Sequence, residues 1–145
     1  MRIKAAMAAL LGGLLIGSVA LADIGRVKRV KGDVTIERGD QKIPAKPGLV
    51  LDRQDVLVTG EKSRVSLTFI DNSRFSAGPN SRIVLETFEF DTTTHEGKFV
   101  SRVERGTLGI VSGQIAKQTP DAMRVRTPTS ILGVRGTKFL VEVGQ

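Results

Sequence analysis

Val65-Ser66-Leu67-Thr68-Phe69-Ile70-Asp71-Asn72-Ser73-Arg74-Phe75-Ser76-Ala77 is the stretch from which the fold can be read. Val65, Leu67 and Phe69 alternate with Ser66 and Thr68, the period-two pattern of a half-buried strand. Asp71-Asn72-Ser73 is a tight turn, and Asn tolerates left-handed backbone there. Phe75 and Ala77 then return antiparallel. Strand, turn and returning strand together predict a β-hairpin.

The pattern continues in both directions. Upstream, Val27 and Val30 open an apolar series that Lys31-Gly32-Asp33 interrupts, as a bulge or bend would. Val34 and Ile36 alternate with Thr35 and Glu37 before the turn Arg38-Gly39-Asp40-Gln41. Pro44 and Pro47 lack ladder donors, so Ile43 to Gly48 is an edge segment or a loop. Leu49, Leu51, Val56 and Val58 surround Asp52-Arg53-Gln54-Asp55, and Thr59-Gly60 leads into the next turn.

Downstream, Gly78-Pro79-Asn80-Ser81 turns the chain. Ile83, Leu85, Phe88 and Phe90 follow, with a phase shift after Leu85 that marks a bulge or a short helical turn. Asp91 to Gly97 is a polar loop. Phe99 to Val103, Gly106 to Val111, Met123 to Arg126 and Phe139 to Val143 read as further strands. No amphipathic helix exceeds a couple of turns. The sum is all-β: a compact β-sandwich or β-roll of about ten short, mostly antiparallel strands.

The first residues are of another kind. Arg2 and Lys4 precede an apolar run from Ala5 to Val19, and Ala20-Leu21-Ala22 is a small-x-small cleavage pattern. Residues 1–22 are therefore expected to be a signal peptide, helical, cut after Ala22. The alternative is an uncleaved anchor, but the run to Ala22 is shorter than the ~20 residues a spanning helix needs, and Gly12, Gly13 and Gly17 weaken it. Residues 23–145 then form one β domain, periplasmic or secreted, with no stable membrane span after cleavage. The chain has no cysteine, so thiols do not report its redox compartment.

The formal charge of +7 falls to +5 without Arg2 and Lys4. A basic surface attracts nucleic acid, anionic lipid or acidic polysaccharide. Nucleic acid is the poorest fit: there is no Trp or Tyr, no helix with a basic stripe, and export removes the chain from the cytoplasm.

Near the end, Thr127-Pro128-Thr129-Ser130-Ile131-Leu132-Gly133-Val134-Arg135-Gly136-Thr137 sets a proline, two glycines and an arginine in an apolar run. Glycines in a strand pattern mark bulges, bends or close backbone contact. Proline holds Thr127 extended, which suits the start of an edge strand, either protected or left open to a partner strand. Arg135, fixed between glycines, is expected to be partly buried and paired with a turn carboxylate, preferably Asp55.

These pieces, in their order, resemble the FecR domain. Gly48 to Gly60, with Asp55, Thr59 and Gly60, is similar to that family's hydrophobic, Asp and Thr-Gly pattern. Leu67 to Ser73, with Asp71 and Ser73, resembles its strand ending in Asp-Gly-Ser, with Asn72 in the glycine's place. Val103 to Leu108, around Gly106, is similar to its later strand-glycine-strand segment. Thr127, Pro128, Gly133, Val134, Arg135, Gly136 and Thr137 resemble its closing signature, the most specific part. These thirteen positions are read as family-signature, structural residues. Regulators of this type relay a signal from an outer-membrane receptor to a cytoplasmic sigma factor, with the β domain on the periplasmic side. Only Met1 to Lys4 precede the apolar run here, so the resemblance implies the domain and compartment without a cytoplasmic sigma-factor-holding part.

Catalytic, cofactor and metal sites are not expected. One histidine and no cysteine remove most dyads and triads. His95 lies in a polar loop, and Asp33, Asp52, Asp55 and Asp71 lie at turns, where Asp ordinarily bonds backbone. The expected function is a non-enzymatic, periplasmic protein-interaction or sensing module, linked to envelope signalling. Its expected partner is another envelope protein. The alternative is a structural or adhesive cell-envelope protein.

Overall fold

The computed structural model describes residues 12–13 and 23–144. The expected signal peptide and its cleavage point after Ala22 lie outside the described residues, apart from Gly12 and Gly13. Among the described residues, no helix is long and apolar enough to cross a membrane.

The described residues form twelve strands and one short helix, in chain order β1 (Gly25–Lys31), β2 (Val34–Arg38), β3 (Gln41–Pro44), β4 (Val50–Leu51), β5 (Val56–Thr59), β6 (Arg64–Phe69), β7 (Arg74–Ala77), β8 (Arg82–Phe90), β9 (Gly97–Val111), α1 (Gln114–Gln118), β10 (Met123–Arg126), β11 (Ile131–Gly133) and β12 (Lys138–Val143). All twelve strands belong to one sheet, whose main path is β3-β2-β5-β8-β9-β7-β6-β1-β4. The pairings are antiparallel except for β10 on β9, which is parallel.

The sheet curls because β9 serves both of its halves. Its first part pairs with β8 and β10, and its second part pairs with β7 and β12. The sequence pattern reads Phe99–Val103 and Gly106–Val111 as two strands. They are one strand of 15 residues, with Gly106 as a corner at φ 92°. Positive φ costs glycine nothing sterically, so the ladder turns there without ending.

Curling brings two inner faces together. Phe69 and Phe75 come from one half, and Phe88 and Phe99 from the other. Phe69 meets Phe99 edge-on at 4.7 Å, and Phe88 meets Phe99 edge-on at 4.8 Å. All four rings are buried. Such ring pairs contribute ~0.5–1.5 kcal/mol each beyond the area they bury.

Several local expectations hold. The Leu85 phase shift is a register shift between Leu85 and Thr87. Asn72 has φ 69° in the β6–β7 turn. Pro44 ends β3, which lies at one margin of the sheet. Two features went unread: α1 follows the bend at Ser112-Gly113, and β11 is formed within the closing signature.

Candidate functional site

Asp55 sits just before β5. The β2–β5 register puts Glu37 opposite Val56, which carries Arg38 to the level of Asp55. Arg38 Nε donates to Asp55 Oδ1 at 2.9 Å and Arg38 Nη2 to Asp55 Oδ2 at 2.8 Å. This is the bidentate fork that guanidinium and carboxylate planes favour. The Asp52 amide donates to the same carboxylate at 2.9 Å, and Arg38 Nη2 also donates to the Val50 carbonyl at 3.0 Å. Asp55 is 1% exposed. The hydrogen-bonded Asp55 carboxylate holds the Arg38 guanidinium above its ordinary pKa against a smaller opposing effect of burial, with the charges of Asp55 and Asp52 adding to the rise.

Thr59 and Gly60 join a second cluster at the β9 corner. Thr59 Oγ1 donates to the Gly78 carbonyl at 2.6 Å and accepts the Ser81 amide at 2.9 Å. Ser81 Oγ donates to the Gly78 carbonyl at 2.9 Å and accepts the Thr107 amide at 3.0 Å. Gly60 donates its amide to Asp33 at 2.9 Å and accepts from Asn80 at 3.1 Å. Gly106 lies flat against Ser81, where a Cβ would collide with both its backbone and its side chain.

Asp71 and Ser73 make a third cluster. Asp71 Oδ1 accepts the Ser73 amide at 3.0 Å, and Oδ2 accepts the Ser73 hydroxyl at 2.7 Å. Ser73 Oγ in turn accepts the Gly113 amide at 3.1 Å, and the Asp71 carbonyl accepts the Gln114 amide at 2.7 Å. Both residues are buried. The hairpin turn thus holds the start of α1, and a side chain at Gly113 would strike the turn's backbone.

The closing signature is placed differently. Thr127 to Ser130 is the β10–β11 turn: Thr127 donates its amide to the Ser130 carbonyl at 2.8 Å, and Ser130 donates its amide to Thr127 Oγ1 at 3.0 Å. Pro128 is exposed within it. Thr127 therefore lies in the turn that leads from β10 into the edge strand β11. Val134 is buried and donates its amide to the Met123 carbonyl at 2.9 Å. Gly133 packs against the Asp121 carboxylate. Gly136, at φ 88°, accepts the Ser112 hydroxyl at 2.7 Å, and the Thr137 carbonyl accepts the Ser112 amide at 2.9 Å.

The expected Arg135–Asp55 pair does not form. Arg135 is 78% exposed and meets Asp121 at 3.2 Å. Val134 points into the core, so Arg135 turns outward, and the Asp55 carboxylate is already held by Arg38. Arg38 was the residue sequence reading missed. It stands in a turn-like run, and its role depends on strand register, which that run does not display.

His95 lies in the loop after β8 with φ 62°, its ring stacked on Phe90 at 6.0 Å. Among the described residues, no three of His, Asp and Glu converge as a metal-ligand set.

One surface remains apolar. Ile131 and Leu140 are each 65% exposed, and Leu132 is 36% exposed. Leu132 and Leu140 border a cleft of about 570 Å³ between the β10–β11 turn and β12. Among the described residues β11 pairs only with β10, and β12 only with β9, so each offers one open edge.

A family model described as FecR protein matches residues 55–145, more than half of the chain. All thirteen signature positions fall within the match, and Arg38 falls before it. No curated protein and no solved structure matches the chain.

Proposed function

The chain belongs to the FecR family, and from that membership we propose that it is an exported, non-enzymatic module of the cell envelope that binds another envelope protein in a signalling or sensing role. Its binding surface is the C-terminal margin of the sheet. The observation that carries this reading is the pairing of open strand edges with exposed apolar side chains. Among the described residues β11 and β12 each leave one edge of backbone donors and acceptors unpaired beside Ile131, Leu132 and Leu140. An added strand gains affinity from backbone pairing and specificity from such side-chain anchors.

The signature residues support this role indirectly. Asp55, Thr59, Asp71 and Ser73 spend their polar groups on turns and corners. That leaves a stiff body from which the margin is presented. A photo-crosslinking residue at position 131 or 132, introduced in cells that make the protein, tests the proposal. One abundant envelope-protein adduct is expected from these positions and none from position 42 on β3. Equal adducts from all three, or none, would reject it.

A further inference from the structure

The two outer faces of the curled sheet carry charge differently. On the side of β2, β5 and β8 three arginines are neutralised in place. Arg82 bridges Glu37 at 3.0 Å and Glu104 at 2.8 Å, while Arg102 and Arg126 share Glu86 at 3.4 and 3.1 Å. On the side of β1, β6, β7 and β12, Lys28, Arg29, Arg74 and Lys138 line an open trough of about 880 Å³. Among the described residues none of these four makes an ion pair.

Register builds the trough. Arg29, Ser66, Ser76, Gly109 and Leu140 stand opposite one another in one row across five strands. Thr68, Arg74, Val111 and Lys138 form the row beside it. Strands spaced ~4.8 Å apart make such a row roughly 19 Å long. Its floor is low because Ser66, Ser76 and Gly109 are small. At one end, the register shift between Val27 and Arg29 leaves both Lys28 and Arg29 exposed, where strict alternation would show only one. Glu142 is exposed on the same face of β12, but it stands opposite Thr107, outside the trough lining.

The geometry points to this trough as a binding site for an extended acidic polysaccharide. Hydroxyls of Ser66, Ser76 and Thr68 face the sugar hydroxyls, and the cations at the end and along the side receive the carboxylates. Charge complementarity of this kind steers and orients a polyanion. Other anions fit less well. β6, β7 and β9 are paired on both sides, so the trough floor offers an acidic peptide no strand edge, and the one open edge beside it belongs to β12 at the rim. A bilayer surface cannot enter a concavity. No Phe is exposed, and the chain lacks Trp and Tyr, so nucleic-acid bases have no stacking platform.

Calorimetry of the purified protein with an alginate oligosaccharide, a linear uronic-acid chain, tests the site. The Arg29→Glu/Arg74→Glu variant is expected to bind at least tenfold more weakly, while Lys42→Glu/Lys62→Glu, with the same change in net charge, stays within twofold. Both pairs are exposed, and circular dichroism checks that each variant is folded. Equal weakening in both variants would reduce the effect to net charge and overturn the proposal. So would absent alginate binding, or tighter binding to poly-glutamate or to phosphatidylglycerol vesicles.

Discussion

Arg38 grips Asp55 through two near-parallel hydrogen bonds of 2.9 and 2.8 Å, tying the end of β2 to the start of β5. Asp55 is buried, whereas the Arg38 side chain is 33% exposed. Arg38→Ala leaves a buried carboxylate with one amide donor from Asp52. The expected loss is about 3 kcal/mol, at the low end for a broken buried pair because water reaches the arginine. Arg38→Lys keeps the charge but not the fork and should fall between. Urea unfolding followed by circular dichroism measures both; equal stability of all three proteins would contradict the assignment.

Gly106 and Gly136 share positive φ, at 92° and 88°, but not their surroundings. A Cβ at Gly106 runs into Ser81, while nothing lies within 4 Å of one at Gly136. Gly136→Ala should cost about 1–2 kcal/mol from backbone strain alone. Gly106→Ala adds overpacking and should cost about 3 kcal/mol or more. Comparable midpoints for the two variants in urea would show that β9 does not depend on the corner.

Arg135→Ala should change stability by less than about 1 kcal/mol, as expected for an exposed ion pair. Its partner Asp121 is itself 46% exposed. Thermal unfolding decides this, and a large fall in midpoint would restore the buried role that the sequence implied.

Asp91 accepts the Thr94 amide at 3.1 Å and the Thr93 amide at 2.8 Å, and these bonds, Thr94's first, hold its carboxyl below the ordinary Asp pKa. A depressed folded pKa means that the loop's stabilisation is complete above the unfolded value and is lost as pH falls through the folded one. Carbon-13 titration should give an Asp91 midpoint below that of a free Asp, with the Thr93 and Thr94 amide shifts following it. A midpoint at or above the ordinary value would contradict the loop geometry.

The all-β architecture was legible because alternation survives in β2, β6, β7 and β10, where one face is buried. Asn72 and Pro44 were legible for the same local reason: each backbone state is restricted by its own residue type. The Arg38–Asp55 pair was not legible, since its members lie 17 residues apart and meet through strand register. Arg135 misled because flanking glycines signal restricted backbone without saying which way the side chain points. The continuity of β9 was hidden for the opposite reason. Gly106 resembles a break in one dimension and proves to be a hinge-like fold of the ladder in three.

Because β9 runs uninterrupted through both halves, the halves share a common beam. A pull along the axis of β12 is resisted in shear by its ladder with β9, whose other end is clamped between β8 and β10. Tension applied at the C-terminal margin is thereby delivered to the far side of the molecule, and neither half can peel away without rupturing the longest strand's bonds.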